Sequence, residues 1–385
     1  MSSPAIFMDN NGTTALDARV LEVMLPFLNA QHGNATSRHS FGRTARSAVD
    51  HAREQVAAAV GAHPTQVVFT GGGTEADNMA ITGIAAAAGA EAGQIAYSAI
   101  EHPAISRPVQ AMRLRGWKTA VIGVNADGKI NRHSLDQVLA APTSLVSVML
   151  ANNETGVIQD IVEIAETVKR HGAFMHTDAV QALGKMPVDF AALNVNAMSL
   201  SSHKIYGPQG AGALILDKRV DIQPLIYGGG QEKGLRSGTE NVAAIVGFGL
   251  ACEFAGRELE QRRAAMRAMR DQLEQGLKNL GAVIFGGQSE RLPNTSFFAF
   301  PDMEGETLVV ALDRKGFAVA SGSACSSDST EPSHVLLAMG VEEDLARGAV
   351  RVSLGKDNTS AQIEAFLAAL EGELLRLKRL TAIAV

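Results

Sequence analysis

Residues 66–89, QVVFTGGGTEADNMAITGIAAAAG, hold a complete strand–turn–helix passage. The β-branched and aromatic residues of 66–70 predict a short buried strand. It runs into Gly71-Gly72-Gly73, and residues 74–89 predict a helix with Thr74 as N-cap and Asp77 three residues on. Upstream, Ala45, Val49, Ala52, Val56 and Val60 recur at spacings of three and four, which predicts a helix over 40–60 with one buried face. Downstream the alternation repeats. QIAYSA, SLVSVML (144–150), AFMHTD (173–178), NAMSLSS and AGALIL (211–216) predict strands, and AISRPVQAMRLRG and IVEIAETVKRHG predict helices between them. Strands alternating with helices imply an α/β fold, an open and mostly parallel sheet with helices on both faces.

After about residue 240 the pattern changes. Residues 241–280 are helical and rich in Arg, Glu and Gln, and read as a link between two bodies. AVIF, TSFFAF and AVRVSL then mix with helices such as GETLVVALDRKG, the pattern of a smaller α+β domain. The expected division is a large α/β domain over 15–255 and a smaller one built from 1–14 and 256–385. No internal repeat is visible.

Composition bounds the function. The chain has 385 residues, 46% of them hydrophobic and 19% charged, with a net charge of −6. That is enough for a large core, and it argues against a nucleic-acid footprint. The two cysteines form no Cys-x-x-Cys and cannot make a disulfide framework, so a reducing, cytoplasmic setting is expected. MSSPAIFMDNN lacks a basic region followed by an apolar core, so no signal peptide is expected. AITGIAAAAGA is too short to span a membrane. No pair of histidines or acids has metal-ligand spacing, and no protein-bound metal is expected.

Four polar clusters follow predicted strands, where parallel α/β sheets gather ligands. FTGGGTEADN places glycines before a helix start, where bare backbone N–H groups can cradle an anion. It lacks the Gly-Lys-Ser/Thr ending of a P-loop, and a plain Gly-rich turn explains it equally well alone. HTDAVQ (176–181) ends a strand on an acid, either a cap or the partner of a protonated ring nitrogen. SLSSHKIYGPQG (199–210) sets Lys204 among hydroxyls just after a buried strand, which suits a Schiff-base lysine better than a surface one. RSGTEN (236–241) is a hydroxyl-rich turn that a helix cap would explain. Together the four match the needs of pyridoxal 5′-phosphate. Lys204 would serve its aldehyde and Asp178, 26 residues earlier, its ring nitrogen. Thr74, Ser201 and His203, with Thr239 as a further candidate, would serve its phosphate.

The motifs also resemble a family. MDNNGTT (8–14), GNATSRHSFG (33–42), GGGTEADN (71–78), EHPA (101–104), ANNETG (151–156), HTDAVQ, SSHKIYGP (201–208), RSGTEN, SGSACSS (321–327) and RVSLG (351–355) resemble the fold-type-I pyridoxal-phosphate transferases, which are aspartate aminotransferase-like. Within them they resemble the class I cysteine desulfurases of the NifS/IscS type, with NNGTT, EHPA and RSGTEN leaning to the NifS branch. The resemblance implies an enzyme that takes sulfur from L-cysteine, releases L-alanine and leaves a persulfide on Cys325. It implies a homodimer, and a sulfur-acceptor protein such as an iron–sulfur scaffold.

Residue by residue, Lys204 resembles the Schiff-base lysine that also shuttles a proton between substrate Cα and cofactor. Asp178 is similar to the partner of the ring nitrogen, Gln181 to the donor to the ring hydroxyl, and His102 to the histidine stacked on the ring, a candidate acid/base. Gly73, Thr74, Ser201 and His203 match the phosphate cup. Thr239 matches a residue that reaches the neighbouring subunit's site. Asn153 and Arg351 match the holders of the substrate carboxylate, with Asn34 assisting. Three departures stand out: GNATSRH replaces the usual Asn-Pro-Ser-Ser-x-His, and Gly73 and Gly12 replace larger residues.

Cys325 lies in ASGSACSSDSTEPSHVLLAMG (320–340), which reads as an exposed loop. A nucleophile that must meet substrate and then an acceptor suits such a place, and a modest pKa depression would give thiolate at neutral pH. Cys252, in GFGLACEFAG, reads as a packed core thiol. The rival expectations are a selenocysteine lyase or aminotransferase of the same fold, or a retired enzyme kept as a scaffold. Intact Lys204, Asp178, His102 and Cys325 argue against the last.

Overall fold

A computed structural model describes residues 5–89, 93–322 and 331–383. In chain order its strands are β1 (Ile6–Phe7), β2 (Val67–Thr70), β3 (Gln94–Ser98), β4 (Lys118–Ile122), β5 (Thr143–Ser147), β6 (Phe174–Asp178) and β7 (Ala197–Ser201). There follow β8 (Gly212–Leu216), β9 (Val283–Ile284), β10 (Thr295–Ala299), β11 (Phe317–Ala318), β12 (Ala320–Ser321) and β13 (Val350–Ser353).

β2-β8-β7-β6-β5-β3-β4 form one seven-stranded sheet. It is parallel from β7 through β6, β5 and β3 to β4. β8 returns from β7 through a short loop, so it runs antiparallel to β7 and to β2. The expected α/β fold with a mostly parallel sheet is therefore present. Every residue of β5, β7 and β8 is buried. That follows from small and apolar residues facing helices on both sides.

On one face the helix Ser40–Ala59 packs against Val242–Arg257. Ala45, Val49, Ala52 and Val56 are among its buried residues, as their spacing requires, and Val49, Ala52 and Val56 meet Phe69, Met198 and Phe248 in one core. On the other face Gly73–Ala88 packs against Pro103–Leu114. Met79, Ile81 and Ile84 there meet Ile95 and Trp117.

One local expectation is corrected. The helix starts at Gly73, its N-cap is Gly72, and no side chain caps it. Thr74 is its second residue rather than its cap. Gly72 has φ 149° and ψ 178°, a region that only glycine occupies readily, so the chain turns into the helix one residue early.

The remainder forms the antiparallel sheet β12-β13-β10-β9. The helices Leu259–Asn279, Gly305–Asp313 and Ser360–Ile383 pack around it. Phe298, Phe300, Leu312 and Phe366 share this core with Met8, from the start of the chain. β1 pairs in parallel with β11.

Residues 8–17 then cross between the two sheets. Asn10 N donates to Ser353 O at 3.0 Å, and Ser353 N donates to Met8 O at 2.8 Å. Asn11 Nδ2 donates to Thr295 Oγ1 at 2.9 Å and to Asn153 O at 3.1 Å. Thr14 N donates to His203 O at 2.9 Å, and Asp17 N donates to Tyr206 O at 3.0 Å. This crossing brings the beginning of the chain to the carboxyl ends of β6 and β7. Among the described residues no helix is long and apolar enough to cross a membrane.

Candidate active site

The carboxyl ends of the central strands open into a cavity of about 810 Å³. Gly73, Thr74, His102, Asn153, Asp178, Gln181, Ser201, His203 and Lys204 all line it. Nine of the expected site residues, separated by up to 131 positions in sequence, thus meet at one place.

Gly71, Gly72 and Gly73 form its floor. A Cβ on Gly73 would lie 2.8 Å from Val180 Cγ2 and 3.3 Å from Ser201 Cβ, so the helix start rests directly on the end of β7. With no side-chain cap, the first-turn N–H groups of this helix are available to an anion. Glu75 braces the turn: its Oε2 accepts from Gly71 N at 2.8 Å, and Arg236 Nε donates to its Oε1 at 2.8 Å.

Lys204 follows β7 in the single turn Ser202–Lys204. Its Nζ donates to Asn11 O at 2.5 Å and Gly12 O at 2.6 Å. Two residues on, Tyr206 has φ 68°, an uncommon conformation for a ring-bearing residue. Its N–H donates to Thr14 Oγ1 at 2.7 Å, and its hydroxyl accepts from Lys356 N at 2.6 Å. The strained turn is held from both sides, and it fixes where the lysine stem leaves the backbone.

Asp178 ends β6, and its Oδ1 accepts from Val180 N at 2.8 Å. Burial pushes its pKa up to about 6, against the pull of the Val180 N–H and Lys204. No ion pair forms at Asp178 among the described residues. Asp77, buried in the helix Gly73–Ala88, is pushed well above the usual carboxylate range by burial and by the charge of Asp178. His102 caps the helix Pro103–Leu114, its Nδ1 accepting from Ala104 N at 3.1 Å. The neutral ring therefore carries its proton on Nε2. Burial, then Lys204, lowers its pKa to about 4, so it is neutral at pH 7.

These groups fit pyridoxal 5′-phosphate. The Gly73 floor has no room for a side chain, the helix start presents bare N–H groups, and a buried carboxyl without a cation stands one strand from a lysine amine. A family model, aminotransferase class-V, matches residues 6–366.

The chain belongs to the class-V aminotransferase family. Within that family it sits with the cysteine desulfurases, which depend on pyridoxal phosphate. It is 42% identical to a cysteine desulfurase of Gluconacetobacter diazotrophicus, over 98% of this chain and 95% of that one. A solved NifS-like protein superimposes with a TM-score of 0.91 at 38% identity, covering 96% of this chain and 99% of that one. A second solved structure, SspA in complex with cysteine, gives a TM-score of 0.80 at 31% identity over 92% and 99% of the two chains.

Not every expected residue of this class-V aminotransferase reaches the cavity. Arg351, on β13, is buried behind Asn153: its Nη1 donates to Asn153 O at 3.1 Å and its Nη2 to Asp9 Oδ1 at 2.7 Å. Asn34 is exposed in a local turn, its Oδ1 accepting from Thr36 N at 2.9 Å. Thr239 is exposed and outside the cavity lining. The helix that RSGTEN leads into is capped by Asn241, which accepts from Ala244 N. Cys325 lies outside the described residues. Cys252 is buried, and burial raises its thiol pKa, as a packed core thiol requires.

Some groups were not anticipated. The carbonyls of Asn11 and Gly12 are main-chain atoms with no signature in sequence. Lys185 is fully buried beneath Gln181. Glu101, next to His102, is fully buried and accepts on Oε1 from Ser98 Oγ at 2.5 Å and Met149 N at 2.7 Å. Burial pushes the Glu101 pKa from 4.5 up to about 8. Between those values the unfolded carboxyl is ionised while the folded one keeps its proton, so stability falls as pH rises across the window. Glu101→Gln imitates the protonated form. Its melting temperature should therefore decline less between pH 5 and 8 than that of the wild type. Parallel melting curves for the two proteins across that range would contradict the assignment.

Proposed function

We propose that this chain is an L-cysteine desulfurase that passes sulfur through Cys325. The observation that carries the reading is the meeting of Lys204, Asp178 and the bare helix start around one cavity. Pyridoxal 5′-phosphate, when bound, supplies an electron sink for the charge left when a proton leaves the substrate Cα. Gly73, Thr74, Ser201 and His203 would hold its phosphate, and Asp178 the proton on its ring nitrogen. Gln181 would donate to its ring hydroxyl, and His102 would cover its face.

Lys204 takes and returns the Cα proton with its amine, which is within hydrogen-bond reach of two carbonyls that keep it oriented. Asn153, on the cavity wall, would hold the substrate carboxylate. Arg351, buried behind it on Asp9 and the Asn153 carbonyl, would have to turn from those partners to join it. The Cys325 thiolate attacks the substrate sulfur. The C–S bond breaks, the pair of electrons stays with carbon and is protonated to give L-alanine, and Cys325 is left as a persulfide. A sulfur-acceptor protein such as an iron–sulfur scaffold then takes the outer sulfur.

The working unit is proposed to be a cytoplasmic homodimer. The exposed position of Thr239 supports this, because its matched role is at the neighbouring subunit's site. The division into 15–255 against 1–14 with 256–385 is supported by the packing of Met8 among residues 266–374.

The test is L-cysteine with a reductant, measuring alanine and sulfide for wild type and Cys325→Ala. Equal yields in the wild type, lost in the variant, are expected. Full yields from Cys325→Ala would end the persulfide reading.

A further inference from the structure

Lys185 is a buried amine with no role in the mechanism above. It follows β6 in QALGKM and is 5% exposed. Its Nζ donates to Gln181 O at 3.1 Å and to Gln181 Oε1 at 3.2 Å. No carboxylate pairs with it among the described residues, and the charged groups that act on it are Lys204 and Arg351. A lone buried lysine is costly, so its retention there needs a use.

Its partner supplies one. The side chain of Gln181 lines the cavity, and its amide can face either way. In its charged form lysine can only donate, so the atom it then meets must be the oxygen. Asn11 O can only accept, and it receives Gln181 Nε2 at 3.0 Å. The two neighbours thus select one amide orientation from opposite ends. Asn11 O, however, also accepts from Lys204 Nζ, at 2.5 Å, so its hold on Gln181 is shared. The hold of Lys185 is not. A charged donor on Oε1 also polarises the amide and makes Nε2 a stronger donor. Burial, with the nearby charges of Lys204 and Arg351, lowers the pKa of Lys185 to about 7, consistent with a dry site between cations.

We propose that Lys185 is a positioning residue that locks the Gln181 amide with Nε2 available to the cofactor ring. The inference rests on the pyridoxal-phosphate reading given above.

The test reads the bound cofactor rather than turnover. The pH midpoint of its visible absorbance is measured in wild type, Lys185→Met, Lys185→Gln and Gln181→Leu, and in the Gln181→Leu/Lys185→Met double variant. The anionic ring oxygen depends on the Gln181 donor most once the proton beside it is lost. Lys185→Met should therefore raise the midpoint by about one pH unit. Lys185→Gln keeps a donor without the charge and should recover at least half of that shift. In the Gln181→Leu background, Lys185→Met should add almost nothing. An undiminished shift in that background, or a Gln variant identical to the Met variant, would show a bare charge effect and overturn the proposal. An unshifted Lys185→Met overturns it too, while the wild type's normal spectrum leaves the cofactor reading standing. A wild type that takes up no pyridoxal phosphate overturns both.

Discussion

Lys204→Ala should release alanine from L-cysteine roughly 10⁴-fold more slowly than the wild type, or not measurably. The amine removed both holds the cofactor aldehyde and moves the Cα proton, and no other described amine can replace it. Lys185 also lies close, but its Nζ is committed to Gln181 on the buried side. The fold should survive. Lys204 is partly exposed in the cavity, and the two carbonyls it leaves, Asn11 O and Gly12 O, can be met by water. The variant should still take up pyridoxal phosphate through the glycine floor, but borohydride should no longer fix it to the chain. Turnover above about one hundredth of wild type would remove Lys204 from the proton-transfer role.

Asp178→Asn should lower turnover by about 10³-fold, because an amide cannot hold the ring nitrogen's proton and a buried charge pair is lost. The same change should act oppositely on the cofactor-free protein. Burial raises the Asp178 pKa from 3.8 to about 6. Between those values the unfolded chain is ionised and the folded chain protonated, so the native group loses stability as pH rises through that window and stays penalised above it. Asparagine carries no such penalty. At pH 7 the cofactor-free variant should melt above the cofactor-free wild type, while the loaded variant melts below the loaded wild type. If both forms shifted in the same direction, Asp178 would not be the counter-ion of the ring.

The central strands were legible because each is a short run buried on both faces, between glycine turns and amphipathic helices. β4 was not: Lys118–Ile122 lies at the sheet edge with mixed exposure, so it shows neither a buried run nor an alternation. β1, β11 and β12 are two-residue strands made by pairing with distant partners, and nothing local encodes them. The Thr74 cap failed because glycine at position 72 permits an entry that other residues would not. In the site, side-chain chemistry was readable and main-chain chemistry was not. Lys204 and Asp178 stand out as residue types after strands, whereas the carbonyls of Asn11 and Gly12 appear only when the chain's first residues return. Nothing around Lys185 in sequence marks it, and its burial comes from the packing that closes over the end of β6. Asn34 came from resemblance alone, and the resemblance that sends Thr239 to a neighbouring subunit's site cannot be read from its own turn.

The crossing of residues 8–17 carries a consequence for biosynthesis. The ribosome makes Asn11 before Ser353, which lies 342 residues later and whose strand pins it. Residues 67–216, which supply the seven-stranded sheet, can condense while translation continues. The carbonyls that steady the lysine amine wait for a contact that Asn11 makes 342 residues away in sequence. A nascent chain can thus carry a formed sheet long before it carries a working centre, which waits until Ser353 has been made.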